Sequence, residues 1–457
     1  MRRAIAITMV ALWAAVTSAA TAADRIVSPS DRQTLADVLE QAAVGDRIIL
    51  RSGKYPGRVV IRKTLTVEGD PGAAIIGDST GTVVTIDAPD VVLRGVDISG
   101  SGMDLEAMDS GVFATEAAAG ALIENNVVTG NLYGIYIHGA AKSLVRHNKI
   151  VGLMDGRLSE SGNGVTVWNA PGAKVVDNDI SFGRDGIATN ASKRNVFNGN
   201  RFTNVRFAIH YMYTNDSEIS GNVSTGNLVG YAIMFSSRLK IIGNISDGDR
   251  DHGLLLNFAN NSLVSGNIVR GHLQPETRWT LGGTRESSQE IPVDAAAPQA
   301  EGDQTGFRLG PEKCVFIYNA NKNRILDNEF NGCAIGIHFT AGSEGNVMSG
   351  NAFINNRNQV KYAGTRYIDW SENRRGNYWS DNPAFDLDGD GIGDNPYRPN
   401  DLMDKVLWTS PQAKVLTTSP AVQVIRWAQA QFPALLPGGV IDSHPLMEPR
   451  ALKEVMQ

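Results

Sequence analysis

Runs of lysine and arginine are missing from this chain of 457 residues, and its net charge is -6. Phosphate binding wants a basic stripe, so the charge pattern argues against nucleic acid as a partner. Beyond the amino-terminal residues, no stretch approaches the ~20 consecutive apolar residues that a membrane-spanning helix needs. Any membrane contact then has to run through a partner. Cysteine is nearly absent as well, with Cys314 and Cys333 alone.

What is abundant is glycine and asparagine in a fixed rhythm. Asn126, Asn148, Asn178, Asn200, Asn222, Asn244, Asn267, Asn328 and Asn351 follow one another at steps of 22, 30, 22, 22, 22, 23, 61 and 23. A repeat this short, carrying runs such as Gly134-Ile135-Tyr136-Ile137-His138 that alternate with period 2, is too small for a pair of helices. Stacked strands remain, with Gly and Asn at the turns where the backbone needs left-handed conformations. The sequence therefore predicts an all-β, right-handed parallel β-helix, each coil adding one rung ~4.8 Å along the axis.

The expected organisation is a signal peptide over 1–23, an amino-terminal cap over 24–45, the parallel β-helix over 46–380 and a carboxy-terminal segment over 381–457. Arg2 and Arg3 precede an apolar run over 4–16 and small residues at 18–23, the pattern of a Sec-type secretory signal that is removed. Export places the mature chain in the periplasm. Residues 34–43 read as an amphipathic helix, suited to closing the exposed end of a solenoid. Extra residues fall at about 153–162 and 271–308, where long excursions at coil corners are disordered or bind partners. In an oxidising compartment Cys314 and Cys333 can bond, yet a coil step from Cys314 lands nearer Gly336 than Cys333, so a disulfide and two buried thiols both stay open.

Past the repeat, Asp386, Asp388, Asp390 and Asp394 surround Gly389 and Gly391. They resemble the first half of a calcium loop, although Tyr397 stands where the bidentate Glu would be. The alternatives are a hard divalent cation such as Ca2+ and a surface turn in which Asp side chains bond nearby backbone. The tail after residue 396 is irregular or helical. Its amphipathic stretch from Val422 to Phe432 suits closure of the solenoid, docking on another protein at a membrane face, or both.

In each coil the pattern Gly-Ile-x-Ile-x sends Ile inward and both x residues outward. Two outward columns follow: Tyr136, Thr166, Ala188, His210, Ala232, Leu255, Phe316, His338, and His138, Trp168, Asn190, Met212, Met234, Asn257, Tyr318, Thr340. Neither contains Asp, Glu, Lys or Arg. Exported β-helices commonly act on polysaccharides, and a lyase, epimerase or hydrolase needs acid and base groups that these columns do not offer. They do offer His210 and Met212 on one rung and Met234 on the next, a soft ligand set suited to Cu(I). An apolar contact patch for a protein partner is the competing reading.

Several segments taken together resemble the NosD family: 131–139, 164–172, 206–215, 248–257, 313–322 and 376–399. The His210-Tyr211-Met212 rung and the stretch Trp427-Ala428-Gln429-Ala430-Gln431-Phe432-Pro433 are the most specific of them. The resemblance implies a non-enzymatic periplasmic subunit of an inner-membrane ABC-type complex with an ATPase and a permease. Such a subunit assists copper loading of the nitrous oxide reductase apoprotein, with a lipoprotein copper chaperone as donor. The insertion near 271–308 is longer than the family pattern. No metal ligand is carried over from the family: the Cu(I) set His210, Met212 and Met234 is read from the outward columns.

Overall fold

The computed structural model describes residues 22–154, 158–272, 312–340, 342–362, 364, 366–401, 403–404, 406, 419–431 and 438–450. The signal segment up to residue 21 and the insertion from 273 to 311 lie outside them. Within them the chain winds into a parallel β-helix of three long sheets of 13, 12 and 13 strands. The first sheet runs from Asp24–Val27 to Val347–Ser349, the second from Val59–Ile61 to Asn358–Tyr362, and the third from Gly53–Pro56 to Tyr378–Trp379. Each coil contributes one strand to each sheet, and every pairing between coils is parallel, as in Phe207–Met212 against Val229–Met234. Asp24–Val27 already pairs with Arg47–Leu50, so the first sheet begins ahead of the helix.

The asparagine rhythm has a mechanical cause. Asn200 Oδ1 accepts from the backbone N–H of Asn178 at 3.0 Å, and Asn200 itself donates through N–H and Nδ2 to Asn222 Oδ1, both at 3.0 Å. The same link repeats coil by coil from Asn126 to Asn351 and on to Asn377. Each side chain satisfies a corner N–H that burial would otherwise leave unpaired. The file ends on Asp442, which accepts from Asn377 N at 2.6 Å and Trp379 Nε1 at 2.8 Å. Asp442 follows Gly439–Ile441, a strand from the tail that pairs with Tyr367–Asp369.

Inside, Ile, Val and Phe stack from rung to rung, among them Ile187, Ile209, Ile233, Phe197 and Phe202, all fully buried. Helix α1, Leu35–Gln41, closes the amino end. Thr34 caps it in a box with Asp37, and Leu35, Val38 and Leu39 turn into the core. At the other end Phe353 stacks on Trp379 at 4.3 Å and Trp370 covers both. Cys314 and Cys333 are joined by a disulfide across a Cα–Cα distance of 5.6 Å. The register does place Cys314 between the pairs Lys313–Ile335 and Val315–Ile337, level with Gly336. Its side chain, however, enters the interior below the corner that carries Cys333, and both are fully buried.

Candidate functional site on the outer face of the second sheet

The second sheet holds the residues that the outward columns singled out. His210 lies level with Ala188 on one side and Ala232 on the other, and Met212 lies level with Met234. Two alanines therefore flank the imidazole and leave it uncrowded, while the two thioethers sit on neighbouring rungs ~4.8 Å apart. All three side chains are part-buried. His138, two rungs below Asn190 in the same column as Met212, is stacked on Trp168 at 4.5 Å and 10° and stands apart from this group.

Strict alternation misses part of this face. Ahead of the first inward residue of the strand stands a small residue that itself points inward: a Cβ on Gly186 would come within 2.3 Å of Phe202, and one on Gly253 within 2.3 Å of Val269. The residue before it is thereby released toward the outer side. A third column results, Asp185, Phe207, Val229, His252, Lys313, Ile335, in continuous register.

Its first member supports His210. Asp185 Oδ2 lies 3.1 Å from His210 Nδ1, and both carboxylate oxygens accept from Arg206, at 2.8 and 2.7 Å. Asp185 is almost fully buried. Burial pulls its pKa up, but the bonds from His210 and Arg206 outweigh that, and the net shift is downward. In a neutral imidazole, an acceptor at Nδ1 selects the tautomer that presents the Nε2 lone pair, the arrangement in which histidines bind metals. Phe207 meets the imidazole edge at 4.9 Å and carries Arg206 over its own ring at 4.3 Å, so the ring is held from two sides.

Further along, His252, Lys313, Phe316, His338 and Lys361 form a second group. Phe316 stacks on His338 at 4.8 Å and meets His252 at 5.4 Å, with Lys313 Nζ 5.3 Å from its ring centre. His338 is pushed down to about 3 by burial and by Lys361, Lys313 and His252, so it is neutral. His252 Nδ1 lies 2.9 Å from Asp251 Oδ1 but off the direction that a hydrogen bond prefers, and Nδ1 of neither histidine is hydrogen-bonded. The outer face is thus charged where the two columns indicated none. Lys361 extends the first column one rung past His338, and Asp185, His252 and Lys313 come from the third.

Among the described residues, Asp386, Asp388 and Asp390 are the one group of acids, histidines and cysteines with ligand atoms converging within 4.8 Å. Asp386 accepts from the N–H groups of Gly389 and Gly391 at 2.7 and 2.8 Å, and Asp390 from Ile392 N at 2.9 Å. Asp394 turns instead to Leu387 N at 2.9 Å. Three of the four expected acids meet, and much of their capacity is spent on the turn itself. The pKa of Asp388 is raised, against its bond from Asp390 N, by the neighbouring carboxylates of Asp386 and Asp390, a crowding of like charges.

The family model described as periplasmic copper-binding protein (NosD) matches residues 153–384. A protein of Stutzerimonas stutzeri named probable ABC transporter binding protein NosD is 36% identical over 399 residues, 87% of this chain and 86% of the relative. One of the same name from Pseudomonas aeruginosa is 37% identical over 412 residues, 90% of each chain. Among solved structures the Dettilon tailspike protein (gp208) superposes with a TM-score of 0.53 at 18% identity, covering 74% of this chain and 68% of that one, a likeness of fold alone. With relatives more than a third identical across nearly their whole length, the chain belongs to the NosD family.

Proposed function

We propose that this chain is a non-catalytic periplasmic subunit of an ABC-type complex that handles Cu(I) as cargo on its way to the nitrous oxide reductase apoprotein. His210, Met212 and Met234 are the transfer ligands. The observation that carries this reading is the pairing of Met212 with Met234 in register, beside a histidine whose Nδ1 is taken by Asp185. Two thioethers and one imidazole suit a soft monovalent ion and leave a coordination position for a donor or an acceptor. A closed set of four would hold the ion too tightly for transfer. The buried acid nearest the ligands, Asp185, is committed to Arg206 and His210, which speaks against the paired free carboxylates of a glycoside hydrolase.

The partners follow from the same reading: permease and ATPase subunits at the inner membrane, a lipoprotein copper chaperone as donor and the reductase as acceptor. Helix α2, Pro420–Gln431, supports the docking role of the tail, because Val424, Ile425 and Trp427 are exposed on it while Val422 is buried. At the exit of the solenoid a Ca2+ ion held by Asp386, Asp388 and Asp390 would relieve their mutual repulsion.

The test is a Cu(I) titration of the mature chain under reducing conditions, repeated with Met212→Leu and Met234→Leu together. These changes keep volume and apolarity, so the expected result is an intact fold with Cu(I) affinity down at least tenfold. Undiminished affinity would leave the patch as a protein contact and remove it as a copper site.

A further inference from the structure

Immediately after Met212 and Met234 the chain turns the corner out of the second sheet through Tyr213 and Phe235, and one coil on through Phe258. All three take left-handed backbone, with φ of 45°, 47° and 51°. A bulky side chain is strained there, whereas Asn tolerates it. The same corner in other coils is occupied by Asn169, Ala191 and Asn319, with φ of 46°, 53° and 45°. Three consecutive coils thus place aromatic rings where their neighbours place small or amide side chains. The rings are not hidden either. Tyr213 is 50% exposed, Phe235 and Phe258 39%, and Tyr318 beside them 43%.

The rings form a file. Tyr213 stacks on Phe235 at 5.1 Å and 14°, Phe235 on Phe258 at 5.1 Å and 13°, and Tyr318 closes the file edge-on at 5.9 Å. Faces turned to one another leave edges toward solvent. A saccharide stacks on a ring face, so the file is poorly made for sugar, and rings braced in a row are poorly made for insertion among lipid chains. Ring edges carry the positive end of the quadrupole and favour thioether sulfur, carboxylate and other aromatic groups.

The charge around the file is mostly positive. Corner residues 191–194, 213–216, 235–238, 258–261 and 319–322 carry Lys193, Arg194, Arg238 and Lys322 against Asp216 alone. Asp216 is already bridged by Arg238, at 2.5 and 2.9 Å. This is a basic corner on a chain of net charge -6.

We infer that the file of Tyr213, Phe235, Phe258 and Tyr318 is a docking surface for a folded protein partner that presents an apolar patch rimmed by carboxylates. Strained, exposed rings are a feature of binding surfaces, and complementary charge steers such a partner to the corner. A partner seated there covers Met212 and Met234, which precede Tyr213 and Phe235 in the chain. The inference stands without copper, and its test uses none.

The experiment takes the full chain, expressed in cells together with its membrane complex, with a photoreactive benzophenone at Tyr318. The expected result is one protein adduct whose joined peptide is apolar and contains Asp or Glu. Its yield falls at least tenfold in Lys193→Glu with Arg194→Glu, and likewise in Tyr213→Asn with Phe235→Asn and Phe258→Asn. The triple Asn variant, purified, keeps or raises the melting temperature, since Asn relieves the left-handed strain. A melting temperature lowered by several degrees would show that the rings serve the fold itself. An adduct indifferent to charge reversal, or one made with a second copy of this chain, a lipid or a saccharide, would equally overturn the assignment.

Discussion

Asp249 offers the sharpest test of how the interior is balanced. Its carboxyl is fully buried, accepting from Ser224 Oγ at 2.9 Å and Asn227 N at 2.8 Å on one oxygen, with Ser246 Oγ at 2.5 Å from the other. Burial pushes its pKa up from 3.8 to about 6, although these hydrogen bonds pull the other way. In the folded chain it therefore keeps a proton that the unfolded chain releases near 3.8. Its contribution to stability is fully present below that value and is lost as pH rises through about 6. At ~1.4 kcal/mol per pH unit across that window, the loss by neutral pH is about 3 kcal/mol. Asp249→Asn mimics the protonated form: the amide oxygen serves Ser224 and Asn227, and the NH2 donates to Ser246. The amide also fits the coil register, because Asn227 occupies the equivalent place 22 residues earlier and accepts from Val205 N at 2.9 Å. Urea unfolding of both proteins at pH 4, 5, 6 and 7 measures the difference between them, in which the other carboxylates cancel. The variant should match the parent near pH 4 and exceed it by about 3 kcal/mol at pH 7. A difference that stays constant with pH, or a variant less stable at pH 7, would refute the assignment of a protonated buried acid.

Three further outcomes are expected. Asp442→Ala strips the acceptor from Asn377 N and Trp379 Nε1 at the end of the asparagine file, and should cost about 3 kcal/mol in urea unfolding; an unchanged midpoint would mean that water replaces it. Adding EDTA to the mature chain should lower its melting temperature, with recovery on excess Ca2+, and Asp386→Ala should abolish that response; indifference to chelator would leave the Asp386 loop a turn stabilised by its own backbone bonds. Replacing Val424, Ile425 and Trp427, all exposed on α2, by serine should leave the β-rich circular dichroism unchanged while association with the membrane complex is lost, and retained co-purification with the permease would place docking elsewhere.

The β-helix was legible because its cause is periodic. One asparagine per coil bonds the next, and any drift from 22 or 23 residues without a corner insertion would break that file. The register that sets Met212 against Met234 followed from the same steps and holds in the structure. Asp185 was not legible as a partner of His210, because the contact joins residues 25 positions apart on different columns and depends on burial that no spacing reveals. Nor was the disulfide decided by the coil step. Cys314 sits level with Gly336, and only the inward direction of its side chain brings it to Cys333 at the corner.

A single structural position links these misses. Gly186, Ala208, Gly230, Gly253, Cys314 and Gly336 occupy one place in successive coils, just ahead of the inward Ile, Tyr, Leu or Val, and the space there admits little. Because that place faces inward next to another inward residue, the strand carries two interior positions in a row and alternation restarts behind them. The preceding residue, which period 2 assigns to the interior, emerges on the outer side, and so Asp185 reaches His210 and Lys313 reaches Phe316. Small residues at this place are thus a sequence signal for a third outward column rather than a relaxed turn. Where the coil instead spends the position on Cys314, the inward direction becomes a covalent tie to Cys333. The face that bears the proposed copper ligands and the interior that bears the disulfide are therefore set by the same local break in alternation, and a Gly186→Val substitution, forced against Phe202, should disturb both the core packing and the Asp185–His210 contact at once.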